Sequence, residues 1–549
     1  MPITRPAEKS GLWLDLLVVV LLCSIAVTPL VNERAPCTHD GLLHFFRVVA
    51  MRHSLDNGLV FTRYTPELAF GYGYPFFNYR EPVSYYLTLA LYVLGLSLPV
   101  ALNAVYIISL VGAGIGAYLL GRDLFGRLPG LVAAVAYVYA PYQFLDALVR
   151  GNAPESVALA LMPFVLWAFR RLAFTGRRQW VALSVVSLGL LYLTHNISSL
   201  LFTPFLLAFI GVLCADRRAR RHWAVTGAAL ALSLGMTAFF WVPALLERGA
   251  VHLDRSISSA NNDYRNNFLT LAEAFALPET RDLSLMNPAL RVYLGLVQMI
   301  VGAIGLVLSL VRETARPRRL MAVFLGVATV AMVWMSTASS QWLWDRLPLI
   351  AFVQFPWRLI GRAVLPVALL AGASVDLSLL RFGSRTRERR PRLGNRWALR
   401  IWGCLVTGAL ILTAMPDMVP IYGFCETPPD TLAGVFEYER STGLVGIDPE
   451  GSYFPVGVER VPDASPLEDA LVSGAVVYRF DREALPEGAT IHEELYGPNQ
   501  ARIVVETPAA FRARYLVFGF PGWNVRIDGR RVATAPTEPD GLLSFDVPS

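Results

Sequence analysis

Apolar runs of about bilayer length recur along the chain, separated by short loops that are either arginine-rich or aromatic. Eleven of them are read here as membrane spans: Gly11–Val31, Ala101–Gly121, Pro129–Ala147, Glu155–Arg170, Trp180–His195, Ser198–Cys214, Trp223–Leu246, Leu290–Val311, Leu320–Ser336, Trp357–Leu380 and Ala398–Met415. The loops supply the orientation. Arg5 and Lys9 precede the first run, and Arg122 and Arg127, Arg170 to Arg178, Arg217 to Arg221, Arg312 to Arg319 and Arg381 to Arg400 then fall on that same side. The positive-inside rule makes that side cytoplasmic and puts the C-terminus outside. Parity holds only if Val83–Leu98, bounded by Pro82 and Pro99, does not cross, so it is read as a helix at or dipping into the outer surface.

Within the first outer loop, 32–99, Leu42, Leu43, Phe46, Val49 and Ala50 recur at helical spacing while His44, Arg47 and Arg52 occupy other faces. That pattern predicts an interfacial amphipathic helix over Gly41–Asn57. The stretch FTRYTPELAFGYGYPFFNYREPVSYY that follows is read as a structured loop at headgroup depth whose rings stack on sugars or anchor in the interface, with anchoring the expected job of most of them. The long polar loop Arg248–Asn287 has the length of a lid. After Met415 the period changes to two: GAVVYRF, ARIVVET, RYLVFGF and WNVRIDG alternate between turn signals, with a hairpin expected at Asp528 and Gly529. The division expected is a transmembrane domain over 1–415 and an extracytoplasmic, β-sandwich-like domain over 416–549.

Composition narrows the class. Of 549 residues 54% are hydrophobic and only 16% charged, too apolar for a soluble enzyme of this length. The net charge of +6 lies in loop arginines and reads as a topology signal, not as a nucleic-acid surface. No small-residue cleavage site follows Met1 to Val31, so the first run is read as an uncleaved span. Cys23, Cys214 and Cys404 lie in or beside spans, whereas Cys37 and Cys425 both fall outside, where a disulfide between them is allowed.

Candidate chemistry gathers at the outer edge. Asp40, in CTHDGLLHFFR, lies just beyond the first span beside His39, His44 and Arg47, and a second outer loop holds Arg150, Asn152 and Glu155. A carboxylate there serves as a solvated loop charge, a proton acceptor or a metal ligand. Arg47, Arg80, Arg150 and Arg358 are candidates for phosphate oxygens, which guanidinium groups bind in pairs, or for lipid headgroups. His195 and Asn196 close a span at an outer turn, as cap or as site residues.

Taken together, HDGLLHFFR, GYGYPFFNYREP, RGNAPE, THN and QFPWR resemble the bacterial membrane proteins labelled 6-pyruvoyl-tetrahydropterin synthase-related. Soluble tetrahydropterin synthases carry a three-histidine zinc site and a catalytic cysteine, and no such cluster is found among these seven histidines and five cysteines. The membrane part is instead similar to a GT-C glycosyltransferase. The resemblance implies an acid in the first outer loop and often a second in the next, positions matched by Asp40 and Glu155, and a polyprenyl-phosphate sugar as donor. FPGWNVRIDGRRV and GLLSFDVP resemble the β-sandwich ends of large bacterial membrane glycosyltransferase-like proteins. A membrane glycosyltransferase of the bacterial plasma membrane is therefore expected, with a glycan, lipid or protein acceptor, Asp40 as base and Glu155 as second carboxylate. His39, His44, Arg47, Arg80, Arg150, Asn152, His195, Asn196 and Arg358 are the expected binding residues. A divalent metal ion, if one is used, would sit at Asp40 and Glu155; no other cofactor is expected. The competing classes are an inactive scaffold and a lipid or polysaccharide transporter of the cell envelope.

Overall fold

A computed structural model describes residues 11–282, 285, 289–376, 393–422, 426–497 and 499–549. The chain is mainly helical with a C-terminal β region, and it divides into two compact units built from interleaved segments. The first comprises 1–41, 86–237 and 261–426; the second comprises 42–85, 238–260 and 427–549.

The first unit holds most of the apolar helices. Six described helices are long and apolar enough to cross a bilayer, and two bent pairs, Arg127–Val138 with Pro141–Arg150 and Trp223–Met236 with Ala238–Leu246, bring the number to eight. The three other expected spans appear as shorter helices, Arg178–Tyr192, Leu296–Arg312 and Arg358–Ala373. Leu98–Leu124 packs on Arg127–Val138 and Ala153–Thr175, and Arg358–Ala373 packs on Arg127–Val138, Leu296–Arg312 and Arg316–Met335. Small residues let these backbones approach: a Cβ on Gly305 would lie 1.9 Å from the Leu370 carbonyl oxygen, and one on Gly372 would lie 2.4 Å from that of Pro129. Outward faces stay apolar, as at Leu17, Leu21, Val327, Val330 and Leu405, which suits contact with lipid tails. Acids on the arginine-rich side are paired: Asp15 accepts from Tyr118 at 2.5 Å and from Arg127 at 2.6 Å, and Asp123 is bound by Arg170 and Arg171.

The second unit corrects three expectations. The helix over Gly41–Asp56 forms, but His44 and Arg47 are buried rather than displayed on a polar face. The Arg47 guanidinium donates to the Ile447 carbonyl at 2.7 Å and lies 4.4 Å over the Phe76 ring, so its charge is met by an acceptor and a π face. The aromatic loop is likewise interior: Tyr74, Phe76, Phe77, Tyr79 and Tyr85 are buried, and Tyr79 stacks on Tyr453 at 5.2 Å. Those rings form a core instead of anchoring at an interface, because the 427–549 segment of the same unit supplies partners that the local pattern did not reveal. Glu439 closes this core by accepting from the backbone N–H groups of Ala69, Phe70 and Gly446 at 2.7–2.9 Å. Ala69 and Phe70 both have φ of 55°, a conformation that needs such bracing.

The strands form three small antiparallel sheets: β1 (Thr490–Gly497) with β2 (Gln500–Glu506); β3 (Phe511–Phe518) with β7 (Leu542–Val547) and β6 (Thr534–Pro536); and β4 (Val525–Ile527) with β5 (Arg530–Val532). The expected hairpin is present. Ile527 pairs with Arg530 around Asp528 and Gly529, both at positive φ as a two-residue type I′ turn requires. The GAVVYRF run is not a strand; it contributes a single bridge, Phe480 to Tyr515, while the buried Arg479 side chain turns to the Gly71, Pro66 and Leu516 carbonyls.

Candidate functional site

Four of the five short motifs meet inside the first unit. HDG and RGN lie side by side, with the His39 N–H donating to the Val149 carbonyl at 2.9 Å and the Asp40 N–H to the Arg150 carbonyl at 2.7 Å. Residues 146–150 form one π-helical turn that ends at Gly151, whose φ of 69° and lack of a Cβ leave room for Thr38; an added Cβ would lie 2.1 Å from Thr38 Oγ1. Thr38 Oγ1 also accepts the Gly41 N–H at 3.1 Å. The Asp40 carboxylate is thus held by its main chain, half-buried, and its oxygens make no hydrogen bond or ion pair among the described residues.

Behind Asp40 lies a buried network. Asn152 caps the helix Ala153–Thr175 by accepting the Glu155 N–H at 3.0 Å. The fully buried Glu155 carboxylate accepts from Tyr142 at 2.8 Å, from Arg150 at 2.6 Å and from Arg362, with Arg358 Nε 3.9 Å away. Arg150 also pairs with Asp146 at 2.6 Å, and Asp146 accepts from Ser156 at 2.7 Å. Arg362 donates on to Ser198 Oγ, and Ser198 lies 2.7 Å from Nδ1 of His195, which caps the helix Asn196–Leu213. Arg358, from QFPWR, donates to the Val353 carbonyl at 3.0 Å, while its buried Nε has no hydrogen-bond partner among the described residues. Arg150 lies 5.0 Å over the Trp357 ring of the same motif.

The network holds the guanidiniums of Arg150, Arg358 and Arg362 against the carboxylates of Asp146 and Glu155, an excess of one positive charge. That excess faces the Asp40 carboxylate, which lies within electrostatic reach of Arg150, so the six groups balance. A divalent cation does not fit at Glu155, whose oxygens already face these guanidiniums. Among the described residues no group of three or more His, Cys, Asp or Glu side chains is placed to hold a metal.

Of the expected catalytic residues Asp40 and Glu155 come together here, with Arg150, Asn152, His195 and Arg358 of the expected binding residues; His39 and Asn196 belong to the same unit and are exposed. His44, Arg47 and Arg80 belong to the second unit, where His44 Nδ1 lies 2.9 Å from the Tyr85 hydroxyl and Arg80 lies 5.8 Å over the Tyr453 ring. Tyr142, Asp146, Ser198 and Arg362 were not expected. A helical-wheel reading from Arg358 finds Arg362, one turn further along the same face. Cys37 is disulfide-bonded and Cys23, Cys214 and Cys404 are free; Cys425 lies outside the described residues.

The first unit thus sets a buried cluster of arginines and carboxylates beside a carboxylate that makes no hydrogen bond or ion pair among the described residues. The chain belongs to the family described as 6-pyruvoyl-tetrahydropterin synthase related membrane proteins, whose model matches residues 77–419. A curated relative, an uncharacterized protein of Lactococcus lactis subsp. cremoris, is 20% identical over 263 residues, 46% of this chain and 42% of that one. Among solved structures, the apo Archaeoglobus fulgidus oligosaccharyltransferase is 15% identical, covering 77% of this chain and 57% of its own, with a TM-score of 0.48. Arabinofuranosyltransferase AftD from mycobacteria is 17% identical over 78% of this chain and 29% of its own, at 0.46. ArnT from Cupriavidus metallidurans bound to undecaprenyl phosphate is 14% identical over 75% and 76%, at 0.43. The chain thus spans less than two thirds of the first two of these structures and of the curated relative.

Proposed function

We propose that the protein is a membrane glycosyltransferase that moves a sugar from a polyprenyl-phosphate donor to a hydroxyl of an extracytoplasmic glycan, lipid or protein. The observation that carries this reading is Asp40: a half-buried carboxylate whose oxygens make no hydrogen bond or ion pair among the described residues, fixed through its main chain to the Arg150 carbonyl and backed by the guanidiniums of Arg150, Arg358 and Arg362. In the reaction Asp40 accepts the acceptor hydroxyl proton as the new bond from that oxygen to the sugar anomeric carbon forms. The bond from the anomeric carbon to the phosphate oxygen breaks, and the electron pair leaves on polyprenyl phosphate, stabilised by the cationic cluster. Glu155 holds the arginines in register and does not touch substrate.

In the bilayer this reading has eleven crossings, a cytoplasmic N-terminus, and Asp40 and the C-terminal β region on the outer side of a bacterial plasma membrane. The three helices shorter than a full span complete the count, and the paired acids Asp15 and Asp123 mark the inner end. Incubation of purified protein with labelled polyprenyl-phosphate sugars and an envelope extract tests the reading. Label is expected to leave the lipid with wild type; its retention across a panel of donors would refute the reading.

A further inference from the structure

The hydrogen bonds around His195 fix where its proton sits. Arg362 Nη2 donates to Ser198 Oγ, and a guanidinium has no other role to play in a hydrogen bond. The Ser198 hydroxyl proton then needs an acceptor, and the one within reach among the described residues is His195 Nδ1 at 2.7 Å. That nitrogen also takes the Ser198 backbone N–H at 3.3 Å as cap of the helix. An Nδ1 receiving two donors carries no proton, so the neutral ring bears its proton on Nε2. Arg362 and Ser198 thereby set a tautomer, and the ring lies within electrostatic reach of Arg150, Arg358, Arg362 and Glu155. Arg358 Nε–H, 3.9 Å from a Glu155 oxygen, is buried with no hydrogen-bond partner among the described residues.

The geometry points to His195 as a neutral Nε2–H donor to a phosphate monoester, with Arg358 supplying the charge. This rests on the reading of polyprenyl phosphate as donor, and it adds a residue that recognises the phosphate without a formal charge of its own. A helix cap alone needs only Nδ1, which gives the two roles different requirements. His195→Asn keeps a capping acceptor for Ser198 but ends short of the Nε2 position, whereas His195→Gln carries an amide N–H to that position.

The test measures binding of undecaprenyl phosphate, of undecaprenol as the headgroup-free control, and of inorganic phosphate as competitor, on the purified full chain in detergent. The expected result is wild-type binding of undecaprenyl phosphate that undecaprenol lacks. His195→Asn should weaken it by about tenfold, the scale of one hydrogen bond to a charged group, with unliganded melting unchanged, and His195→Gln should restore most of it. Competition by inorganic phosphate would assign recognition to the free anion, and its failure while the lipid binds would assign it to the lipid-linked phosphate. Equal binding by His195→Asn, or 15N shifts that place the ring proton on Nδ1, overturns the His195 assignment alone. No binding of undecaprenyl phosphate by wild type overturns the phosphate assignment together with the donor reading.

Discussion

Replacing Glu155 by Gln separates a residue that holds the site from one that performs chemistry. The carboxylate is fully buried and faces Arg150 at 2.6 Å, Arg362, and Arg358 at 3.9 Å. Each such pair is worth about 4 kcal/mol at 4 Å in an effective dielectric of roughly 20. Together they offset the several kcal/mol needed to keep a carboxylate from water. Gln removes the negative charge, raises the network from one to two excess positive charges, and turns an amide N–H₂ toward guanidinium donors. Breaking a buried pair in this way costs about 3–5 kcal/mol. Asp40→Asn, by contrast, loses no partner among the described residues and should stay within about 0.5 kcal/mol of wild type. Denaturant unfolding in mixed micelles, followed by far-UV circular dichroism, measures both. A Glu155→Gln protein as stable as wild type would refute the structural role argued for Glu155.

Gly151→Ala forces φ of 69° on a residue with a Cβ and drives that carbon into Thr38, so it should destabilise the protein by more than about 1 kcal/mol and lower any Asp40-dependent turnover; unfolding and activity measured together check both. Burial pushes Glu439 up to about 7 against the pull of three backbone N–H donors. With the folded value above the ordinary one near 4.5, the stability it contributes is complete below that pH and is lost as pH rises through about 7, by roughly 3 kcal/mol; unfolding between pH 4 and 8 should show this slope, and Glu439→Gln should flatten it. Peptide mapping without reductant should find Cys37 linked to Cys425 and the other three cysteines as thiols.

Much of the architecture was legible because a bilayer imposes length and polarity on each helix. Apolar runs located the long helices, and Asp528-Gly529 located a hairpin whose backbone demands those residue types. What escaped the pattern was pairing across long sequence separations. His44 and Arg47 looked like the polar face of an interfacial helix, yet Arg47 finds its acceptor at Ile447, 400 residues on. The aromatic loop looked like an interfacial anchor for the same reason, since the partners that bury it come from 427–549. At the site, HDG, RGN, THN and QFPWR could each be noticed singly, but no local feature shows that Arg362 bridges Glu155 and Ser198, or that Asp146 shares Arg150. Alternation in GAVVYRF failed as a strand signal because Arg479 turns inward to backbone carbonyls instead of standing out from a sheet.

The proposal that Asp40 is the base of a sugar transfer is tested most directly by its own substitution. Wild type and Asp40→Asn, matched for fold, are to be compared for release of labelled sugar from a polyprenyl-phosphate donor that the wild type uses. A loss of about 10²–10⁴-fold is expected in the variant, the usual contribution of a positioned base, with donor binding retained. Transfer by Asp40→Asn at the wild-type rate would contradict it.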